Sequence, residues 1–208
     1  MSVIGNLAAK SIPRIRGERK LEIFLTKTPL EGALIIDAKF FRDERGFFIE
    51  NYHKQRFAQV GITDEFVQDN HSRSAAKVLR GMHYQDKSAP MAKLVRCTIG
   101  AIFDVVVDLR VGSPTFGNWF GLELTAENMR QIFVPSGFAH GFVVLSDVAE
   151  VQYKCTGFYT PAAEGTLAWN DPAIGIVWPI HDPVLSKRDS QGISLRQYLD
   201  KPAFYYSK

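Results

Sequence analysis

The sequence predicts an all-β domain, a sandwich or barrel, and three observations carry that prediction. From about residue 30 onward, short apolar or alternating runs are separated by turn-forming combinations such as Asp43-Glu44-Arg45-Gly46, Gly112-Ser113-Pro114 and Pro135-Ser136-Gly137. The runs are strand-length rather than helix-length and succeed one another without a linker, repeat or low-complexity stretch. Aromatic residues make up 12% of the 208 residues, with fifteen Phe, which suits a sheet-rich core or an aromatic-lined pocket.

Taken in order, the predicted strands are 33–37, 46–52, 65–69, 77–85, 93–99, 101–109, 119–124, 131–135, 141–145 and 149–156. Segment 53–60 reads as a short helix, and 190–200 as another capped by Asp189 or Ser190. Side-chain alternation then assigns faces. In 101–109, Phe103, Val105, Val107 and Leu109 form an apolar face, while Ile102, Asp104, Val106 and Asp108 form a mixed one. Lys93 shares a face with Val95, Cys97 and Ile99, and Tyr153 shares one with Val151 and Cys155. A lysine on such a face either snorkels from the rim or points into a cavity. Tyr153 on the same reasoning is either a core tyrosine or a buried donor.

Composition bounds the function. Hydrophobic content of 46% with 23% charged residues is that of a soluble globular chain with a sizeable core. The net charge is +3, concentrated at the start: Lys10, Arg14, Arg16, Arg19 and Lys20 stand against Glu18, leaving the remainder slightly acidic. Residues 1–29 are therefore expected to be a basic extension, flexible or pairing with a neighbour, ahead of a single domain from 30 to 208. No basic stripe with interleaved aromatics argues for nucleic acid, and no apolar run approaches a membrane span. Cys97 and Cys155 lie in apolar runs without metal or disulfide spacing, as expected of buried thiols in a reducing cytoplasm.

The chemistry concentrates in Val78-Leu79-Arg80-Gly81-Met82-His83-Tyr84-Gln85. A histidine that titrates near neutrality beside a permanent cation suits proton transfer on an anionic substrate. Abstraction next to a ketone needs a base, a cationic or hydrogen-bonding partner for the enolate oxygen, and an acid on the other face if configuration is to invert. Histidine, lysine and tyrosine supply these without a metal or organic cofactor, and Asp189 could hold the histidine's tautomer. Strict alternation sets Arg80 and His83 on opposite faces unless Gly81 lies in a bulge. Pro135-x-Gly137-x-x-His140 resembles the second metal motif of cupins, but the earlier stretch offers only His83 where a His-x-His pair is needed.

These stretches form an ordered series with Phe41-Arg42-Asp43-Glu44-Arg45-Gly46-Phe47-Phe48-Ile49-Glu50, Phe66-Val67-Gln68-Asp69-Asn70-His71-Ser72, Lys93-Leu94-Val95-Arg96-Cys97, Tyr153-Lys154-Cys155-Thr156 and Leu185-Ser186-Lys187-Arg188-Asp189. The series resembles the dTDP-4-dehydrorhamnose 3,5-epimerase family of deoxysugar biosynthesis. The resemblance implies a cupin-type jelly roll, a cytoplasmic homodimer, a dTDP-linked 4-keto-6-deoxyhexose as substrate, and no cofactor. It makes His83 the base, Asp189 its orienting carboxylate, Tyr153 the acid and Lys93 the partner of the enolate oxygen. It assigns the diphosphate to Arg80, and Gln68, Asn70 and His140 to the pocket. Arg45, Phe48, Glu50 and Tyr159 would hold the nucleotide, partly across the dimer interface. The chain departs from the pattern at Lys77 (commonly Gly), Met82 (Leu), Phe158 (Tyr) and Arg188 (commonly Lys). The motifs are shared by single-centre epimerases, and a metal-dependent cupin enzyme or a non-catalytic sugar-nucleotide binder are the rival readings.

Overall fold

The computed structural model describes residues 22–207. The basic stretch at 1–20 lies outside the described residues. The chain opens with β1 (Ile23–Lys27), β2 (Leu34–Ala38), a hairpin of β3 (Phe40–Asp43) and β4 (Gly46–Ile49), and the short helix α1 (Lys54–Gln59). There follow β5 (Gln68–Ala75), β6 (Leu79–Gln85), β7 (Lys93–Ile99), β8 (Ala101–Asp108), β9 (Arg110–Val111), β10 (Trp119–Thr125), β11 (Gln131–Val134), β12 (Phe138–Val144) and β13 (Val148–Cys155). The last elements are β14 (Glu164–Thr166), α2 (Leu195–Asp200) and β15 (Phe204–Tyr205). A six-stranded sheet in the order β1-β2-β11-β7-β13-β5 faces a five-stranded sheet in the order β10-β8-β12-β6-β14. This is the cupin-type jelly roll.

The smaller sheet is largely covered on both faces; the larger one is covered on its inner face and on the part of its outer face under α1, while β5 turns Asp69, His71 and Arg73 to solvent. Between them, Val95, Cys97, Ile132, Val134 and Val151 meet Ile102, Val106, Phe138, Phe142 and Val144. Outside the smaller sheet, Val105, Val107, Leu109, Met82 and Val143 pack under the C-terminal segment through Leu167, Ile174, Trp178, Leu195 and Tyr198. Outside the larger sheet, Ile36, Leu94 and Phe133 pack under α1 and its flanks through Phe57, Ile62 and Tyr52. Each fully buried Val, Leu or Ile contributes about 1.5–3 kcal/mol, so these two outer layers are as necessary as the central one.

The alternation in 101–108 resolves accordingly. Its apolar face is the one covered by the C-terminal segment, and its mixed face, carrying Asp104, looks into the barrel. Several expected elements differ. The strand expected at 65–69 runs Gln68–Ala75, because its alternating polar residues pair residue for residue with β13. The helix expected over 190–200 is a 3-10 turn at Asp189–Gln191, and then α2 begins at Leu195 with Ser194 and Gln197 as a reciprocal capping box. Strand β1 pairs antiparallel with β2 and forms the sheet's edge. Lys77, at φ +63°, occupies a left-handed turn position that favours glycine.

The register between β6 and β12 positions the site. His140 opposes His83 and Phe142 opposes Arg80, so Gly81 and Met82 together face the single residue Gly141. This β-bulge restores Arg80 and His83 to the same, inward side while Met82 turns outward into the C-terminal layer. Gly81 carries φ +132°, a conformation open to glycine alone among ordinary residues.

Candidate active site

One open end of the barrel holds a cavity of about 350 Å³ lined by Gln68, Asn70, His83, Lys93, Tyr153 and Tyr159, together with Met91, Glu164 and Arg188. Four strands and the 186–191 turn converge there. β6 brings His83, β7 begins at Lys93, β13 places Tyr153 opposite Asn70 of β5, and the turn after Ser186 presents Asp189.

His83 is oriented by Asp189, with Nε2 2.5 Å from Oδ1. The second carboxylate oxygen accepts from the Ser186 hydroxyl at 2.7 Å, and the Asp189 amide donates back to that hydroxyl. A carboxylate so placed takes the Nε2 proton and leaves the lone pair of the neutral ring on Nδ1. Burial pushes the His83 pKa down, outweighing the Asp189 contact that favours its charged form; Arg188 and Lys93 add to the lowering. Burial opposes ionisation of Asp189, yet donation from His83 and Ser186 leaves its carboxyl below the ordinary range.

Lys93 points inward beside Tyr153, its ammonium 5.9 Å from the ring centroid. Among the described residues it forms no ion pair, and burial pushes its pKa down while Cys155, Asp104 and Glu164 pull the other way. Burial likewise raises the Tyr153 phenol, which keeps it a proton donor at neutral pH. Gln68 and Asn70 are linked by a 3.1 Å hydrogen bond, and the Gln68 carbonyl accepts from the Tyr159 amide.

Arg80 stands on the same strand face as His83, its Nε donating to Ser74 Oγ at 2.9 Å. His140 is buried next to His83 across the β6–β12 pairing and meets Asp104 at 2.8 Å. Asp104 is fully buried; sequence alternation had placed it on the mixed face of its strand without assigning it to the site. The sequence does not single out Glu164, and Arg188 stands in it as a departure from the family pattern beside Asp189 rather than as a site residue. Glu164 accepts from the Tyr159 hydroxyl at 3.0 Å and from Arg188 Nη1 at 2.6 Å. Among the described residues no three His, Cys, Asp or Glu side chains are grouped as metal ligands, and the two histidines of the site each engage a carboxylate.

Arg80 and His140 stand beside His83 in the β6–β12 pairing without lining this cavity, and three further candidate residues make their contacts elsewhere in this chain. Arg45 folds back onto Asp43 in the β3–β4 turn. Phe48 is 55% exposed on that hairpin, beside Phe47 at 59%. Glu50 pairs with Arg56 and lines a second cleft of about 530 Å³ on the outer side of the large sheet, with Tyr52, Asp69, His71 and Arg96, which adjoins the first at Asn70 and Tyr153.

A jelly roll whose mouth holds a carboxylate-bound histidine with a partly buried tyrosine and lysine has the groups that general acid–base catalysis uses, and it fits the class of isomerases. The family model of dTDP-4-dehydrorhamnose 3,5-epimerases matches residues 27–197, and the chain belongs to that family. It is 51% identical over 179 residues to the dTDP-4-dehydrorhamnose 3,5-epimerase of Salmonella typhimurium, covering 85% of this chain and 98% of that one. The enzyme of the same name from Pseudomonas aeruginosa is 53% identical over 169 residues, covering 80% and 93%. Among solved structures, the Legionella pneumophila dTDP-6-deoxy-D-glucose-3,5-epimerase in complex with dTDP-4-keto-L-rhamnose superposes with a TM-score of 0.86 at 44% identity, covering 90% of this chain and all of that one.

Proposed function

We propose that this enzyme inverts C3 and C5 of a dTDP-linked 4-keto-6-deoxyhexose, with His83 as base, Tyr153 as acid and Lys93 as the partner of the C4 oxygen. The observation that carries the reading is the convergence of His83, backed by Asp189, with Lys93 and Tyr153 on one cavity. His83 Nδ1 takes the proton from the carbon beside the ketone, and the C–H electron pair moves into an enolate whose oxygen lies at Lys93. Burial has lowered the Lys93 pKa, and negative charge developing on the neighbouring oxygen favours its ammonium form again. The stabilisation therefore grows towards the transition state, which is where it accelerates the reaction. Tyr153 returns a proton from the opposite face, and one set of groups serves both carbons because each adjoins the same C4 ketone.

Arg80 serves the diphosphate, for which a forked permanent cation is suited. Gln68, Asn70, His140 and Tyr159 shape the sugar and nucleotide pocket. Arg45, Phe48 and Glu50 serve the site of a second copy: they sit on or just after a hairpin with two exposed phenylalanines, which favours a homodimer. The two buried, unbridged cysteines suit a cytoplasmic enzyme. No helix among the described residues is long and apolar enough to cross a membrane.

The test is proton NMR of dTDP-4-keto-6-deoxyglucose in deuterated water with purified protein. Loss of both the C3 and C5 proton signals is expected. Loss of one alone makes the enzyme a single-centre epimerase, and no exchange overturns the assignment. With His83→Ala, exchange at both carbons is expected to disappear; residual exchange at either carbon would mean a second base.

A further inference from the structure

Arg188 Nη2 stands 2.9 Å from His83 Nε2 and 3.5 Å from Nδ1. A donor in line with the Nε2 lone pair would lie on the far side of the ring from Nδ1, much farther from it than 3.5 Å. Near-equal distances to both ring nitrogens therefore place the guanidinium over the face of the imidazole. The position next to Nε2 in the ring plane is in any case taken by Asp189. Arg188 is held there from its other end, where Nη1 donates to Glu164, itself bound by the Tyr159 hydroxyl.

We infer that Arg188 is a positioning residue for the base, its guanidinium stacked on the His83 ring so that it fixes the ring's plane and opposes formation of the imidazolium before substrate arrives. The inference rests on the reading of His83 as base. Stacking on a planar ring is a habit of arginine, and a fixed cation against the face of an imidazole disfavours its protonation. The charged groups around His83 come from several elements: Asp189 and Arg188 from the 186–191 turn, Lys93 from β7, and Glu164 from β14 acting through Arg188. Asp189 alone favours the imidazolium by direct contact. Arg188 opposes it at similar range, and Lys93 opposes it from farther away. The pair Asp189 and Arg188 thus fixes the ring at its edge and on its face, leaving the Nδ1 edge towards the cavity.

The experiment is an NMR titration of the imidazole signals in wild type, Arg188→Gln and Arg188→Lys, with His83 assigned among the five histidines by its loss in His83→Asn. Arg188 is half-exposed, so neither substitution opens the core. Arg188→Gln is expected to move the His83 titration upward, with Arg188→Lys staying near wild type because it keeps the charge. In steady state, the acid limb of kcat/KM should move the same way in Arg188→Gln, read as a several-fold loss near about pH 6 relative to the loss at about pH 8. An unchanged His83 titration in Arg188→Gln overturns the inference, as does an equal shift in the glutamine and lysine variants. If the base assignment itself is wrong, His83→Asn retains exchange at C3 and C5 while the titration still reports what Arg188 does to the ring.

Discussion

Gly81 and Gly141 meet so closely across the pairing of β6 and β12 that a Cβ on Gly81 would stand 2.6 Å from the Gly141 Cα. The reverse is also true, for a Cβ on Gly141 would stand 2.6 Å from Met82 Sδ and 2.8 Å from the Arg80 carbonyl oxygen. Two glycines face each other where one strand carries an extra residue, and that bulge puts the base and the proposed diphosphate ligand on the same face of β6. Gly81→Ala is expected to cost roughly 3 kcal/mol or more, since it meets backbone rather than a side chain that could turn away and also occupies a disfavoured φ. Denaturant unfolding measures the loss. If the variant folds with an unchanged midpoint and full activity, the bulge is not what holds His83 in place.

Asp189→Asn keeps the shape of the contact but reverses its sense. The amide nitrogen presents a donor to Nε2, which drives the proton to Nδ1, the position that must accept from substrate. It also removes the negative charge that balances the imidazolium during turnover. A fall in kcat on the order of 10²–10⁴ is expected with little change in KM, because the residue acts through His83 and does not line the sugar cavity. A loss expressed mainly in KM would mean that Asp189 contributes to substrate binding instead.

Much of this was legible in the chain, and the exceptions have physical reasons. Alternation placed Lys93 and Tyr153 on inward faces because both lie in the regular part of the β7–β13 pairing, beyond its irregularity between Glu150 and Val151, where period two holds. It failed between Arg80 and His83, where the bulge inserts a residue, and the glycine was the visible signal. Asp104 stood on the mixed face of its strand, yet its partnership with His140 depends on neighbouring strands that the sequence does not order. Glu164 and Arg188 come from a short strand and a turn that meet only after the C-terminal segment has wrapped the smaller sheet. The hairpin residues Arg45 and Phe48 show the opposite case: their motif was clear, but one chain does not bring them to its own cavity.

Stability should rise with pH from the acid side towards neutrality. The His83 pKa is lowered in the folded protein by burial, so the unfolded chain takes up a proton near about pH 6.5 while the folded ring still resists it. More protons on the unfolded state means stability lost as pH falls through that window. Asp189 is also lowered, held by His83 and Ser186, so its contribution is present above about pH 4 and lost as pH drops through its folded value. Two losses in the same direction are expected in chemical denaturation between about pH 7 and 3. Asp189→Asn should diminish the lower one, to which Asp108, whose burial is outweighed by donation from Arg110, Ser113 and Thr115, also contributes, and His83→Gln should abolish the upper one. A stability that is flat from pH 7 to 5 would contradict the lowered His83.

Tyr153→Phe separates the two halves of the reaction. The phenol is raised above its ordinary pKa by burial, so it is protonated at neutral pH and able to donate, and the ring packs among the interior residues of both sheets. Phenylalanine keeps that packing and removes only the hydroxyl, so the unfolding midpoint should move by no more than about 1 kcal/mol. Proton abstraction by His83, with Lys93 on the enolate oxygen, needs no phenol. Exchange of solvent deuterium is therefore expected to persist in the variant, within about tenfold of wild type, with configuration retained when the label returns on the face from which the proton left. Formation of the inverted product should fall by about 10² or more. NMR distinguishes the two, since the ring-proton couplings report configuration and the loss of signal reports exchange. If abstraction and inversion fall together, Tyr153 is needed before the enolate forms; if neither falls, another group delivers the proton.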